Sequence, residues 1–371
     1  MSVELKSERV AQTLAENLPN WDPDRDDVLV CRQVRDETHD VKTFIFSGRS
    51  PQLFRYRPGQ FLTLDLEIGG QQVNRCYTIS STPTRPHALS ITVKRVPGGP
   101  VSNWLHDHLV PGAEVRALGP AGVFSCLEHP ARKYLFLSGG SGVTPLMSMA
   151  RSFHDVGGRP DIIFVHSART PADIVFRDEL DLMARNQPGF RIAHVCEDDA
   201  PGEPWSGYRG RLTPAMLEMI APDFREREIL TCGPGPYMAA VRAMLEGLAF
   251  DMEHYHQESF SFEELFAEAV PEGLEAPLPE EASVPRFKVQ FTKSRRDIEC
   301  EATANVLDAA RAAGMRLPSS CTKGICGTCK SKLVSGSVDM KHQGGIRQRE
   351  IDQGMILICC SKPLSDLVIE R

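Results

Sequence analysis

Apolar positions between residue 28 and about residue 125 fall into short runs, VLVCRQV, KTFIF, GQFLTLDL and LSITVKRV, each ended by Gly, Pro or a polar cluster. Short runs broken this often predict an antiparallel β-barrel. From KYLFLSGG onward the pattern changes: IIFVHSA, RIAHVCE and EILTCG are nearly continuous apolar runs, and each precedes a helix-compatible stretch. Strands covered on both faces read this way, so a doubly wound parallel α/β sheet is expected. Residues 261–285, SFEELFAEAVPEGLEAPLPEEASVP, are dense in Glu, Pro and Ala and read as an acidic, semi-stiff linker. After them FKVQFTKSRRDIECEATANVLDAARAAG gives two alternating runs and then a helical pattern at Val306, Leu307 and Ala310, which fits a hairpin packed on a helix in a small α+β domain. The expected division is an N-terminal extension (1–27) with no legible role, a barrel (28–128), an α/β domain (129–260), the linker (261–285) and the α+β domain (286–371).

Composition narrows the class. A chain of 371 residues, 41% of them hydrophobic, is long enough for several cores. No stretch approaches the roughly 18 uninterrupted apolar residues of a membrane helix, and MSVELKSERV has no apolar segment of a secretory signal, so a soluble, cytoplasmic chain with no membrane association is expected. A net charge of −7 argues against a nucleic-acid binder and suits a protein that meets a partly basic partner. Of the eleven cysteines, Cys31, Cys76, Cys126, Cys196, Cys232, Cys300 and Cys360 are scattered without the pattern of a disulfide framework, so reduced thiols are expected.

The other four are not scattered. Cys321, Cys326 and Cys329 in CTKGICGTCK have the form C-x4-C-x2-C, and Cys359 follows within GMILICC. This is the plant-type [2Fe-2S] spacing, in which one tight loop supplies three thiolates and a distant strand the fourth. Lys323, Gly324, Gly327 and Thr328 keep that loop small enough for backbone amides to face the sulfurs. Structural zinc usually shows paired C-x2-C knuckles, which this stretch lacks. Cys360 competes with Cys359 for the fourth place.

The NRCYTISS stretch predicts Arg75, Tyr77, Thr78 and Ser80 on one strand, with alternate side chains facing one way. An aromatic ring to stack, a hydroxyl near a reactive nitrogen and an arginine fork for a pyrophosphate are what a flavin requires. Further on, SITVKRVPGGPVSNWLHDHL supplies Lys94 and then a helix start, where the backbone amides of Gly99, Val101 and Ser102 can face a phosphate. The phosphate-facing helix favours FAD over FMN. In LFLSGGSGVTPLMSM, residues Gly139, Gly140, Ser141, Gly142, Thr144 and Pro145 lie between a buried strand and a helix, the arrangement that brings backbone close to a dinucleotide pyrophosphate. A second strand-to-helix turn, TCGPGPYM, carries Cys232, Gly233 and Pro234. Arg169 stands where the adenosine end would lie; no second basic residue obviously joins it, which favours NADH over NADPH. His254 and His256 read as surface or capping residues.

These motifs resemble the ferredoxin-NADP reductase superfamily, which carries R-x-Y-[ST], a later G-x-x-S before a short helix, and C-G-P; RPGQF at 57–61 and GPAGVF at 119–124 are also similar. The resemblance implies that Cys232 shapes the hydride path, that Tyr77 and Thr78 meet the flavin, and that Glu258 and Phe260 of YHQESF are delivered to its face. The order of flavin barrel, nucleotide domain and C-terminal β-grasp ferredoxin resembles the reductase components of Rieske-type oxygenases. DDVLVCRQVRDETHDVKTFIF, NRCYTISS, HQESF and GMILICCSKPLSDLVIE look most like reductases that serve glycine betaine or stachydrine demethylation; the hybrid-cluster-protein reductase is similar at the same places. The resemblance implies an NADH-dependent enzyme that passes single electrons from FAD through a [2Fe-2S] cluster to a terminal oxygenase. An aromatic-ring dioxygenase reductase and a non-catalytic redox sensor are the rival readings, the sensor disfavoured because it has little use for a hydride entrance.

Overall fold

The computed structural model describes residues 17–23, 25–158, 160–259, 285–315, 317, 322, 324, 327, 329–342 and 345–371. Phe260, Cys321 and Cys326, the loop residues Lys323 and Thr328, and the expected linker as far as residue 284 lie outside them.

The first sheet comprises β1 (Val28–Thr38), β2 (Val41–Gly48), β3 (Phe61–Ile68), β4 (Gln71–Thr78), β5 (Leu89–Lys94) and β6 (Glu114–Ala121). Its order is β4-β3-β6-β1-β2-β5, antiparallel at every pairing, and an Ile79–Ile91 bridge closes the ends into a barrel. Alternation along these strands points Leu29, Phe44, Phe46, Leu62, Leu64 and Ile91 inward, and helix α1 (Pro100–His108) plugs the core with Val101 and Leu105. Part of the extension has a structural role after all: Trp21 is buried against Phe54, with ring centroids 5.4 Å apart.

Strands β7 (Lys133–Gly139), β8 (Asp161–Ala168), β9 (Phe190–Cys196), β10 (Tyr208–Arg209), β11 (Glu228–Gly233) and β12 (Tyr255–Ser259) form a wholly parallel sheet in the order β10-β9-β8-β7-β11-β12. Helices α2 (Val143–Asp155) and α3 (Arg177–Asn186) cover one face, over Phe136, Phe164 and Leu230. Helices α4 (Pro214–Ile220) and α5 (Gly235–Gly247) cover the other, over Leu135, Leu137 and Ile163. Burial on both faces is why these strands carry no polar alternation. The chain runs outward from β7 through β8 to β9, then returns to β11 on its other side, so the strand order reverses between β7 and β11.

The third sheet, β14-β13-β19-β15-β17, is mixed; it contains β13 (Arg286–Phe291), β14 (Arg296–Glu301), β15 (Lys330–Ser335), β17 (Met355–Leu357) and β19 (Leu367–Glu370). Strands β16 (Val338–Met340) and β18 (Ser361–Pro363) pair separately. The expected β13–β14 hairpin is antiparallel, and helix α6 (Val306–Ala312) buries Val306, Leu307 and Ala310 against the sheet, as the spacing predicted. A short helix, α7 (Gln348–Asp352), faces the first barrel. No helix among the described residues is long and apolar enough to cross a membrane.

Candidate functional site

Loops at the carboxyl ends of parallel strands form a crevice where the strand order reverses, and here the two glycine turns flank that point. Gly139 ends β7 and Cys232–Gly233 end β11, with Cys232 in register beside Ser138. The turns touch: a Cβ on Gly142 would lie 2.3 Å from the Cys232 carbonyl oxygen, and one on Gly233 would lie 2.7 Å from the Tyr237 ring. Only glycine permits this approach, which leaves the helix starts at Gly142 and Pro234 side by side. Thr144 is buried, its hydroxyl donating to the Ser141 carbonyl at 3.1 Å, so it shapes the turn from within. Gly140 takes a left-handed φ of +52° with open space around it.

Cys232 also stands in register with Glu258 of β12, which places thiol and carboxyl on one face of the sheet. Both are shifted by burial. Desolvation, with the Glu258 charge adding to it, pushes the Cys232 thiol well up; desolvation pushes the Glu258 carboxyl up to about 8. Glu258 Oε2 is sealed from solvent and has no hydrogen-bond partner among the described residues. An acid so placed keeps its proton at neutral pH and can donate it. The same row continues through Ser138, whose hydroxyl lies 2.7 Å from Nδ1 of His166, a fully buried imidazole whose pKa burial lowers to about 3.

On the barrel, β4 carries Arg75, Tyr77 and Thr78. As expected of alternate positions, Arg75 and Tyr77 face one way and Thr78 the other; Ser80, expected on the same strand, lies beyond its end. The Ser80 hydroxyl is taken up inside the barrel, 2.9 Å from Thr92 Oγ1 and 3.1 Å from Ser90 Oγ. The Lys94 ammonium pairs with Asp40 at 2.7 Å. Burial acts on the Asp40 carboxyl in the opposite sense, but the Lys94 hydrogen bond and charge hold it below the usual range. Thr78 fits a ligand: it is buried, and its Oγ1 has no partner among the described residues. Tyr77 is half-buried against the barrel core, and burial raises its phenol. Gly99 caps α1 and Pro100 begins it, leaving the Val101 and Ser102 amides at the helix start; the Ser102 hydroxyl instead accepts from the Val96 amide at 3.1 Å.

Two residues that the motif reading missed dock the barrel on the nucleotide domain. From α2, the Ser148 hydroxyl donates to the Ser81 carbonyl at 2.6 Å and the buried Arg151 donates to the Ser80 carbonyl at 2.5 Å, while Glu179 holds its guanidinium at 2.6 and 2.7 Å. Their three-residue spacing within MSMAR was a legible sign that they share a helix face. His254 is a surface residue, as expected, while His256 is half-buried; both bond Glu228, His254 at 2.9 Å and His256 at 2.5 Å, and the His256 ring stacks on His129 at 3.4 Å. That clasp sits at the start of β11, the end of the strand opposite Cys232.

Of the four cluster thiols, Cys329 and Cys359 are described, and both are buried in the core of the third domain. Gly327 takes a φ of +73°, a turn that an L side chain resists. Cys360 is half-exposed, its Sγ only 2.7 Å from where a Cβ on Gly324 would stand. The Asn74 side chain donates from β4 to the Gly327 carbonyl at 3.2 Å, so the strand that bears Arg75 and Tyr77 touches the cluster loop. The orphaned Thr78 hydroxyl, the paired glycine turns and the buried thiols fit a flavin, a pyridine dinucleotide and an iron–sulfur cluster respectively.

Comparison with known proteins agrees. Residues 29–126 match the oxidoreductase FAD-binding domain, 136–243 the oxidoreductase NAD-binding domain and 289–364 the 2Fe-2S iron-sulfur cluster binding domain. The chain is 48% identical over 349 residues to the glycine betaine monooxygenase reductase subunit of Pseudomonas aeruginosa (strain UCBPP-PA14), covering 92% of this chain and 94% of that one. It is 45% identical over 342 residues to the stachydrine N-demethylase reductase subunit of Rhizobium meliloti (strain 1021), covering 92% of this chain and 96% of the relative. The crystal structure of phthalate dioxygenase reductase superposes with a TM-score of 0.54 at 26% identity, covering 95% of this chain and 100% of that one. The three matched domains give this chain FAD, NADH and a [2Fe-2S] cluster as cofactors. The three domains and the full-length similarity establish that this chain belongs to the family of NAD(P)H-dependent FAD/[2Fe-2S] reductase subunits of monooxygenases.

Proposed function

We propose that this chain is the reductase subunit of a Rieske-type oxygenase system that removes a methyl group from glycine betaine. What carries the substrate assignment is the 48% identity, sustained over 92% of the chain, to a glycine betaine monooxygenase reductase subunit. When bound, the flavin converts the two-electron donation of NADH into single electrons and the cluster conveys them one at a time. The residues supply the geometry. The glycine turns at 139–142 and 232–234 receive the dinucleotide, with Cys232 lining the hydride path and a protonated Glu258 beside it. Arg75 holds the flavin pyrophosphate, assisted by the amides of Val101 and Ser102; Tyr77 covers the ring, and the Thr78 hydroxyl meets its polar edge. Cys321, Cys326, Cys329 and Cys359 hold the cluster. Phe260 is assigned to the flavin face by the motif resemblance alone.

The chemistry of the coupled system balances: betaine, O2, NADH and a proton give dimethylglycine, formaldehyde, water and NAD+. One NADH thus supplies the two single electrons of each turnover. The test combines purified chain, NADH and betaine with the oxygenase subunit and measures formaldehyde against NADH consumed. A ratio near one supports the assignment. Coupling only with an aromatic acid and its oxygenase, or only with hybrid-cluster protein, would reassign the partner; failure of the FAD-loaded chain to reduce ferricyanide would favour the sensor reading.

A further inference from the structure

One-electron transfer between flavin and cluster depends steeply on their separation, so whatever holds the third domain on the barrel governs that step. The contact between them is a buried group of charges. Asp27, the residue before β1, is 9% exposed at its side chain and faces two arginines at the start of α7: Arg347, its N-cap, at 3.3 Å and itself 4% exposed, and Arg349, in its first turn, at 2.8 Å. Arg347 also donates to the Ala117 carbonyl at 2.7 Å, and the Ala117 amide donates back to the Asp27 carbonyl at 2.8 Å. Asp27 and Ala117 thereby form a rigid cup on the barrel into which one guanidinium fits.

The segment that carries these arginines also grips the cluster loop. Two residues before Arg347, the Gly345 amide donates to the Gly324 carbonyl at 3.0 Å, inside the loop. Three residues after it, Glu350 accepts from the Arg347 amide at 2.9 Å and from Lys330 at 2.7 Å, and Lys330 follows the ligand Cys329 directly. One short segment therefore ties the middle of the loop and its C-terminal end to the barrel cup. Between those ties Asn74 donates to Gly327 one position before Arg75 of the flavin strand. A contact serving stability alone would have no reason to converge on the loop from both sides. Charged side chains withdrawn from water remain only where their partners are fixed, which makes the docking geometry specific.

We propose that Asp27, Arg347 and Arg349 form a latch that holds the cluster loop against the flavin-binding strand, acting as positioning residues for electron transfer from flavin to cluster. This rests on the placement of flavin at β4 and of the cluster at Cys321–Cys359 given above. Arg349 is 44% exposed, so Arg349→Glu sets a carboxylate against Asp27 without disturbing a core; Arg349→Lys keeps the charge, and Arg347→Met removes the buried one. In stopped-flow mixing of the full-length holoprotein with NADH, flavin reduction in Arg349→Glu keeps its parental rate while subsequent cluster bleaching slows tenfold or more, and Arg349→Lys restores it. Independently of turnover, the Ala117 amide exchanges faster with deuterium in Arg349→Glu and Arg347→Met, and small-angle scattering gives a larger radius of gyration. Unchanged bleaching, or unchanged exchange and radius, overturns the latch. Because exchange and scattering can be read on cofactor-free protein, a parent chain that binds no flavin or cluster would refute the site assignment while these two measurements still judge the latch.

Discussion

Burial of Glu258, with no partner at Oε2 among the described residues, keeps a proton on a carboxyl at neutral pH. In the unfolded chain a glutamate ionises near about 4.3, whereas here it does so at about 8. Between those values the unfolded state binds fewer protons than the folded one, so stability falls as pH rises through that window. Glu258→Gln removes the penalty: its melting temperature should exceed the parent's by more at about pH 8 than at about pH 5, and parallel pH profiles would contradict a buried neutral acid. Arg75 is the other residue whose charge matters. Losing a charge-assisted hydrogen bond costs about 1.5–3 kcal/mol, so Arg75→Ala should raise the FAD dissociation constant roughly 10- to 150-fold in a fluorescence titration. An unchanged constant removes Arg75 from the site.

At the level of elements, β7 and β11 meet through glycines, and that closeness presents two helix starts to one ligand. Gly142→Ala would drive a methyl group to 2.3 Å from the Cys232 carbonyl and force the strand ends apart. Overpacking of this kind costs about 1–3 kcal/mol. The expected outcome is a roughly 5- to 150-fold weaker NADH affinity with FAD content unchanged, measured by steady-state titration and by the visible spectrum of the flavin. Equal loss of both would mean that the turn supports the fold and not the dinucleotide. The periodicity of KYLFLSGG and EILTCG made these strands legible, but their adjacency was not, because strand order depends on how the intervening helices cross the sheet.

For the whole molecule, the division of labour predicts that Cys359→Ser abolishes the cluster's visible absorption and cytochrome c reduction while ferricyanide reduction by NADH stays within about twofold of the parent, since the residues proposed for flavin and nicotinamide belong to the first two sheets and Cys359 packs in the core of the third domain. Simultaneous loss of ferricyanide activity would show that the domains do not function separately. The extension, illegible in sequence, proves to be part of the assembly: Trp21 seals the barrel and Asp27 meets the third domain. Ser80 and Lys94 show the converse. Each stands beside motif residues, and their polar groups pair with Thr92 and Asp40, partners that motif spacing could not reveal.

What the amino-acid sequence determined by itself was local: period-two runs, glycine turns and the C-x4-C-x2-C spacing, each a property of neighbouring residues that backbone sterics and ligand geometry constrain directly. Three folds and three cofactors follow from that much. Tertiary structure alone decided which distant groups share an environment: Cys232 beside Glu258, Arg151 on the Ser80 carbonyl, Asp27 between two arginines more than 300 residues away. Strand register and domain docking select those pairs, and both are set by the packing of whole faces, which no short stretch of sequence specifies.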